Sequence, residues 1–296
     1  MQKLFFAGRI HQKKLMNFRL QSHFDVLNRL TDQADYALVG PRDNRIHEIR
    51  TDRFPFNTVC HIGRDFGNRR WSGCTGVLIR PRVVLTAGHC VYNLRRGRAP
   101  LRIRVVPGRA DRDTMPCGFI LSGHYYAPRR YIRLPHPRHP DRRYFDYGII
   151  ILPRPFPGIR KFMDIRALSD SELRDSDLIS VAGYPGDRPR GTMWRHTENL
   201  RRITSRRLFY TVDTCPGHSG SPVWCRAPGS GKRTIIGIHT SGIVDPLGRS
   251  YGCKKGTVLA PPGLLNSGVR INREVLANIR HPDRQTGVLR PMVRLP

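Results

Sequence analysis

The chain has 296 residues, 39% of them hydrophobic, enough to bury one large core or two medium ones. No apolar run approaches the ~20 residues of a membrane-spanning helix, which excludes that kind of anchor. With 52 basic residues against 22 acidic ones the net charge is +30, and only Lys3, Lys13, Lys14, Lys161, Lys232, Lys254 and Lys255 are lysine. The arginines are spread along the chain in small clusters with no recognised nucleic-acid motif, so dedicated nucleic-acid binding is not expected. Such a field would still steer acidic substrates inward and make non-specific contacts with polyanions, whereas arginine filling a solvated face is the plainer reading.

Residues 1–37 stand apart, with Leu20, Phe24 and Leu27 at the i, i+4, i+7 spacing of an amphipathic helix. The run Leu4-Phe5-Phe6-Ala7 falls short of the apolar core of about 7–15 residues in a secretory signal, so the export route stays open. From Pro55 onward strands are predicted over 58–62, 77–80, 83–86, 101–106 and 147–152, divided by Pro- and Gly-rich turns as in a barrel or sandwich. Residues 127–143 form a proline-rich basic loop. Its His136 and His139 read as solvated residues before they read as a metal pair. Residues 153–165, with Pro155, Pro157 and Gly158, read as a linker, followed by strands over 178–184, 208–214, 222–226, 234–240 and 269–272. Gly229-Ser230-Gly231-Lys232 is a hairpin tip, because its glycine frame is wrong for a phosphate loop. Ile271, Val275, Leu276 and Ile279 have helical spacing, with Asn272 placed to cap and Glu274 in the first turn. Residues 283–296 read as a mobile basic tail.

The chemistry centres on Asp213-Thr214-Cys215-Pro216-Gly217-His218-Ser219-Gly220-Ser221-Pro222. Glycines around a serine allow a tight turn that aims the amides of Gly217 and Ser219 at one point, an oxyanion hole. Alone, this stretch also reads as an ordinary glycine–serine loop. A nucleophile needs a base and a group that orients it. Thr86-Ala87-Gly88-His89-Cys90 follows the apolar run Val83-Val84-Leu85, and Phe145-Asp146-Tyr147 sets one carboxylate against the aliphatic run Ile149-Ile150-Ile151-Leu152. Taken singly, His89 reads as a structural histidine and Asp146 as a turn residue. Taken together, the order His89, Asp146, Ser219 is that of chymotrypsin-type proteases, not of α/β-hydrolases or subtilisins.

On these residues the chain resembles the chymotrypsin-fold serine proteases, and within them the bacterial glutamyl endopeptidases. The likeness extends through Cys74-Thr75-Gly76, Gly183-Tyr184-Pro185-Gly186-Asp187, Thr192-Met193-Trp194, Gly237-Ile238-His239-Thr240 and Arg270-Ile271-Asn272, covering roughly residues 38–281. It implies an all-β fold of two six-stranded antiparallel barrels, over 38–155 and 156–282, with a C-terminal helix. It also implies a propeptide over 1–37, cleaved after Tyr36 or Ala37, and a monomer that hydrolyses proteins or peptides without a cofactor.

Of seven cysteines, Cys74 and Cys90 match a disulfide of that family, and Cys215 and Cys253 are placed like its bridge across the specificity pocket. Cys60, Cys117 and Cys225 remain, so at least one is unpaired or intermolecular. No pair has zinc-ligand spacing. The cysteines favour an oxidising, extracellular destination. Specificity stays open at this point. Asp213 lies where trypsin-like enzymes select basic residues, while Thr214 and His239 match the family's ligands for a glutamate side chain. A protease-like module that binds polyanions without cutting is the rival from another class.

Overall fold

The computed structural model describes residues 39–40, 42–67, 71–136, 139–176, 178–242, 253, 264–282 and 291–296. In chain order its strands are β1 (Ile46–Glu48), β2 (Val59–Asp65), β3 (Trp71–Arg80), β4 (Val83–Thr86), β5 (Arg102–Pro107), β6 (Ile120–Ser122), β7 (Tyr125–Pro128) and β8 (Gly148–Ile151). They continue with β9 (Asp164–Ile165), β10 (Ile179–Gly183), β11 (Met193–Glu198), β12 (Leu200–Ile203), β13 (Arg207–Tyr210), β14 (Pro222–Arg226), β15 (Arg233–Ser241), β16 (Asn266–Arg270) and β17 (Met292–Leu295). Two curled sheets result. One runs β17-β7-β8-β4-β3-β2-β5-β6; the other runs β1-β11-β10-β14-β15-β16-β13-β12, with β9 added parallel to β15.

The all-β architecture of two sheets is as the sequence implies. Short edge strands and exchanged chain ends raise the count among the described residues from six in each sheet to eight and nine. The exchange corrects the expected division at both ends. Residues 46–48, assigned to the first barrel, form β1 and pair with β11 of the second sheet, where the buried Glu48 carboxylate meets Arg195 at 3.0 Å and His47 stacks on Trp194. The basic tail, expected to be mobile, contributes β17 to the first sheet, because Met292 and Leu295 bury their side chains there and the strand pairs with β7. The helical expectation for residues 1–37 lies outside the described residues.

The larger core fills the first sheet, reaches Trp224, Ile235, Ile238 and Val269 of the second, and extends to the C-terminal helix Arg273–Arg280 through Val275 and Ile279. Asn272 caps that helix, its side-chain oxygen accepting from the Val275 amide at 2.9 Å. Val84, Leu85, Ile149 and Ile150 on the paired strands β4 and β8 are fully buried, each contributing about 1.5–3 kcal/mol. This makes the β4–β8 pair a stiff base for what projects from its ends. The smaller core, around Leu173, Val181, Leu208, Val223 and Ile236, fills the second sheet. In the proline-rich loop His139 caps the short turn Pro140–Tyr144 by accepting from the Asp141 amide, a local role for a loop histidine.

Candidate active site

Thr86, the last residue of β4, pairs with Gly148, the first of β8. The chain leaves β4 through one helical turn, Gly88–Val91, so His89 and Asp146 flank the same rung of the ladder. The Asp146 carboxylate accepts twice from His89, from its backbone amide at 2.9 Å and at its ring Nδ1 at 2.8 Å. A carboxylate only accepts, so in the neutral ring Nδ1 carries the proton and Nε2 keeps the lone pair. Arg64 donates to the His89 carbonyl at 3.0 Å, and a Cys74–Cys90 disulfide ties the turn to β3. Cys74, His89 and Cys90 lie close enough together to suggest a metal site, but both sulfurs are committed to each other.

Ser219 sits in a turn held from three sides. Thr75 of β3 donates its amide to the Ser219 carbonyl at 2.8 Å and its hydroxyl to the Gly217 carbonyl at 2.7 Å, and that hydroxyl accepts from the Tyr184 amide at 3.0 Å. Gly220 donates to the His239 carbonyl at 2.8 Å. The Gly186 amide donates to the Pro216 carbonyl at 2.7 Å. In a trans peptide the carbonyl and the following N–H point opposite ways, so the Gly217 N–H faces away from Gly186. Gly217 and Gly220 have φ of 103° and 88°, and a Cβ on Gly220 would stand 2.1 Å from the Thr75 carbonyl and 2.2 Å from the Thr86 hydroxyl. The serine turn is thereby pressed against the base of the histidine turn.

Behind it lie the expected pocket residues. Thr214 is fully buried, and its hydroxyl finds no hydrogen-bond partner among the described residues. His239 is buried on β15, with Nδ1 2.8 Å from the Tyr210 hydroxyl, whose pKa burial pushes up so that it stays protonated. Cys215 and Cys253 are bridged, with Val39 packed against the bridge. Asp213 behaves differently. Its two oxygens accept from the Gly40 amide at 2.7 Å and the Asn44 amide at 2.9 Å, and His196 lies 3.4 Å away. The carboxylate is buried, and each of its oxygens is engaged by the backbone of the segment before β1. His218 is also buried. It hydrogen-bonds the backbone of Cys215 and Trp194, and burial, seconded by the charge of Arg45, pulls its pKa down to about 3.

The family model described as Trypsin matches residues 44–257, well over half of the chain. The chain belongs to the trypsin family. This trypsin-family chain is thus a peptide hydrolase of the chymotrypsin fold, acting on peptides or proteins. It is similar to a glutamyl endopeptidase of Bacillus licheniformis, 30% identical over 257 residues that cover 83% of this chain and 70% of that one. A protein of Bacillus subtilis named extracellular metalloprotease is 32% identical over 249 residues, covering 83% and 69%. Among solved structures, a Glu endopeptidase in complex with MPD superposes with a TM-score of 0.65 at 25% identity, covering 84% of this chain and all of that one.

Three residues of this trypsin-family site escape a reading of the sequence. Thr75 was noted only as the neighbour of Cys74, yet its hydroxyl joins Tyr184 to Gly217. Tyr210 reaches His239 because β13 and β15 both flank β16, a register no local pattern encodes. His196 on β11 meets Asp213, which lies in the loop after β13, and its Nδ1 accepts from the Asp213 amide at 2.8 Å. The remaining cysteines are free thiols: Cys60 and Cys225 are buried, Cys117 partly so, and burial raises the pKa of all three, keeping them as thiols at neutral pH.

Proposed function

We propose that this protein is a serine endopeptidase in which Ser219, His89 and Asp146 act as nucleophile, base and orienting group. The two-point contact between Asp146 and His89, on the rim against which the Ser219 turn is pressed, is the observation that supports this reading. Ser219 Oγ attacks the peptide carbonyl while His89 Nε2 takes its proton, and Asp146 stabilises the imidazolium. The oxyanion meets the amides of Gly217 and Ser219, worth about 3–4 kcal/mol per donor. His89 then gives its proton to the departing amine as the carbon–nitrogen bond breaks. Water, deprotonated by the same imidazole, releases the acyl group from Ser219.

The acyl-side residue preferred is glutamate. The buried Thr214 hydroxyl lacks a partner among the described residues, a cost of about 1–3 kcal/mol that a substrate carboxylate would relieve. A Tyr210 hydroxyl donating to His239 Nδ1 puts the ring proton on Nε2, the tautomer that a carboxylate ligand requires. The basic preference that Asp213 suggested loses its support, since that carboxylate is matched by Gly40 and Asn44. Maturation by removal of residues 1–37 and secretion complete the reading, the two disulfides fitting an oxidising compartment.

The test is the turnover of paired Glu and Arg chromogenic peptides by the processed protein and by Ser219→Ala. Glu turnover should exceed Arg turnover, and the alanine variant should lose roughly 10⁶-fold in kcat while remaining folded. Undiminished hydrolysis by the variant sinks the triad; faster Arg turnover sinks the acidic pocket. An intact protein whose Ser219 resists a fluorophosphonate probe would favour the polyanion-binding module.

A further inference from the structure

The weak point of any hole built from a glycine amide is the peptide in front of it. Glycine tolerates both orientations, so the Pro216–Gly217 peptide could turn its carbonyl inward and close the hole. In this chain the Pro216 carbonyl is held by the Gly186 amide at 2.7 Å, and the Cβ position of Gly217 nests 2.4 Å from the Tyr184 carbonyl and 3.1 Å from the Gly186 nitrogen. The orientation of the hole therefore depends on where Gly186 sits.

Gly186 is followed by Asp187, and this turn residue is gripped from a segment remote in sequence. Arg45 Nη1 donates to Asp187 Oδ1 at 3.0 Å and Nη2 to Oδ2 at 2.6 Å, a two-pronged pair whose arginine side chain is only 1% exposed. The same guanidinium donates from Nε to Asp43 Oδ1 at 2.9 Å and from Nη2 to Asp43 Oδ2 at 2.7 Å, so its direction is fixed from both sides. Arg188 also pairs with Asp43 and lies over the Trp194 ring at 4.3 Å. Planar, charge-assisted pairs of this kind fix geometry as well as adding strength. Arg45 in turn stands at the entry to β1, whose backbone pairs with β11, and the amides just before it are held by Asp213. Arg45, with the Asp43–Arg188 pair beside it, ties the segment before β1 to the loop that carries Gly186.

We propose that Arg45 is a positioning residue for the oxyanion hole: its grip on Asp187 holds the Gly186 amide against the Pro216 carbonyl and keeps the Gly217 N–H directed into the site. The segment around Arg45 thus belongs functionally to the serine turn, although nearly the whole first sheet separates them in sequence. His218, next to the nucleophile, cannot serve this purpose, being neutral and bonded to the backbone of Cys215 and Trp194. The inference rests on the acyl-transfer reading of Ser219.

The experiment compares the processed wild-type protein with Asp187→Asn, which preserves shape, and with Arg45→Met. Readouts are kcat and KM on one peptide substrate, the inhibition constant of a peptide aldehyde, the low-field proton resonance of His89 Nδ1 and the melting temperature. Both variants should lose roughly 10²-fold in kcat with KM within about twofold, the expectation for a misdirected oxyanion donor. Aldehyde binding, which places an oxyanion in the same hole, should weaken by a similar factor, while the His89 resonance stays in place. The double variant should be no slower than either single one, since all three release the same peptide. Folded Asp187→Asn with wild-type kcat overturns the inference and leaves the protease reading standing. A kcat loss accompanied by loss of the His89 resonance also overturns it, because the damage would then lie in the triad. Wild-type protein without Ser219-dependent turnover overturns the protease reading and this inference together.

Discussion

In the proposed site His89 and Asp146 occupy one half, Ser219 and its pocket the other, and the two halves are built differently. The first half comes from a single pair of neighbouring strands, with both side chains flanking the Thr86–Gly148 rung and a disulfide closing the histidine turn. The second is assembled by hydrogen bonds from separate places: Thr75 on the first sheet, Gly186 in the loop after β10, and the amides of Gly40 and Asn44 on Asp213. Strand register, backed by a dry core, fixes the first half with no help from distant loops. The second half is set by contacts that are individually modest and far apart in sequence. Damage should therefore separate cleanly: variants in the first half change the base, and variants in the second change the hole and the pocket.

The largest separation is expected from Asp146→Asn. An amide cannot accept from both the His89 amide and Nδ1–H in the same way, so the ring loses its tautomer and kcat should fall roughly 10⁴-fold. The measurement is steady-state turnover beside aldehyde affinity, and the aldehyde should retain its oxyanion contacts. A comparable collapse of aldehyde binding would show that the halves are not independent.

Thr75→Val sharpens the comparison from the opposite side. It leaves the buried Tyr184 amide and Gly217 carbonyl without their shared hydroxyl, at about 1–3 kcal/mol for each unpaired group. We expect a lower melting temperature and a kcat loss of roughly 10²-fold, with the His89 resonance unmoved. A shifted resonance would place Thr75 in the histidine half instead.

Acid stability provides the smallest and most distributed contrast. His218 in the serine turn and His61 on β2 both have pKa values lowered to about 3, chiefly by burial. For a base with a depressed folded pKa, the unfolded chain binds more protons between about 3 and 6.5. Stability is therefore full above pH 6.5 and falls as pH drops toward 3. At pH 5 each histidine should cost about 2 kcal/mol relative to pH 7. Denaturant melts of His218→Asn and His61→Asn at both pH values check this. Equal pH slopes in wild type and variants would rule out these histidines as the source. Asp43 does not add to the effect in this range: burial raises its pKa, but the hydrogen bonds and charge of Arg45 prevail and hold it at about 2, so its pairing persists until pH approaches that value.

Much of this was legible in the chain itself, for identifiable reasons. Strand 83–86 and strand 222–226 appear at their expected bounds because short apolar runs bounded by turn residues leave little alternative. Asn272 caps its helix as its position suggests. The two disulfides join the pairs that the resemblance implied. The tail was misread because its arginines dominate the composition, while the buried Met292 and Leu295 that make it a strand are only two residues. The role of Asp213 stayed open in the sequence because a carboxylate near a nucleophile carries no mark there of the amides that reach it.

What the sequence determined alone is the set of reactive groups and the order in which they come, together with the local turns that glycine and proline allow, because these depend on residue type and on near neighbours. What the tertiary structure decided is which of those groups are free. The Thr214 hydroxyl has no hydrogen-bond partner among the described residues, whereas Asp213 is held by the segment that begins the described chain. The physical reason is desolvation. Once buried, a polar group is defined by its partners, and these partners come from the far end of the domain.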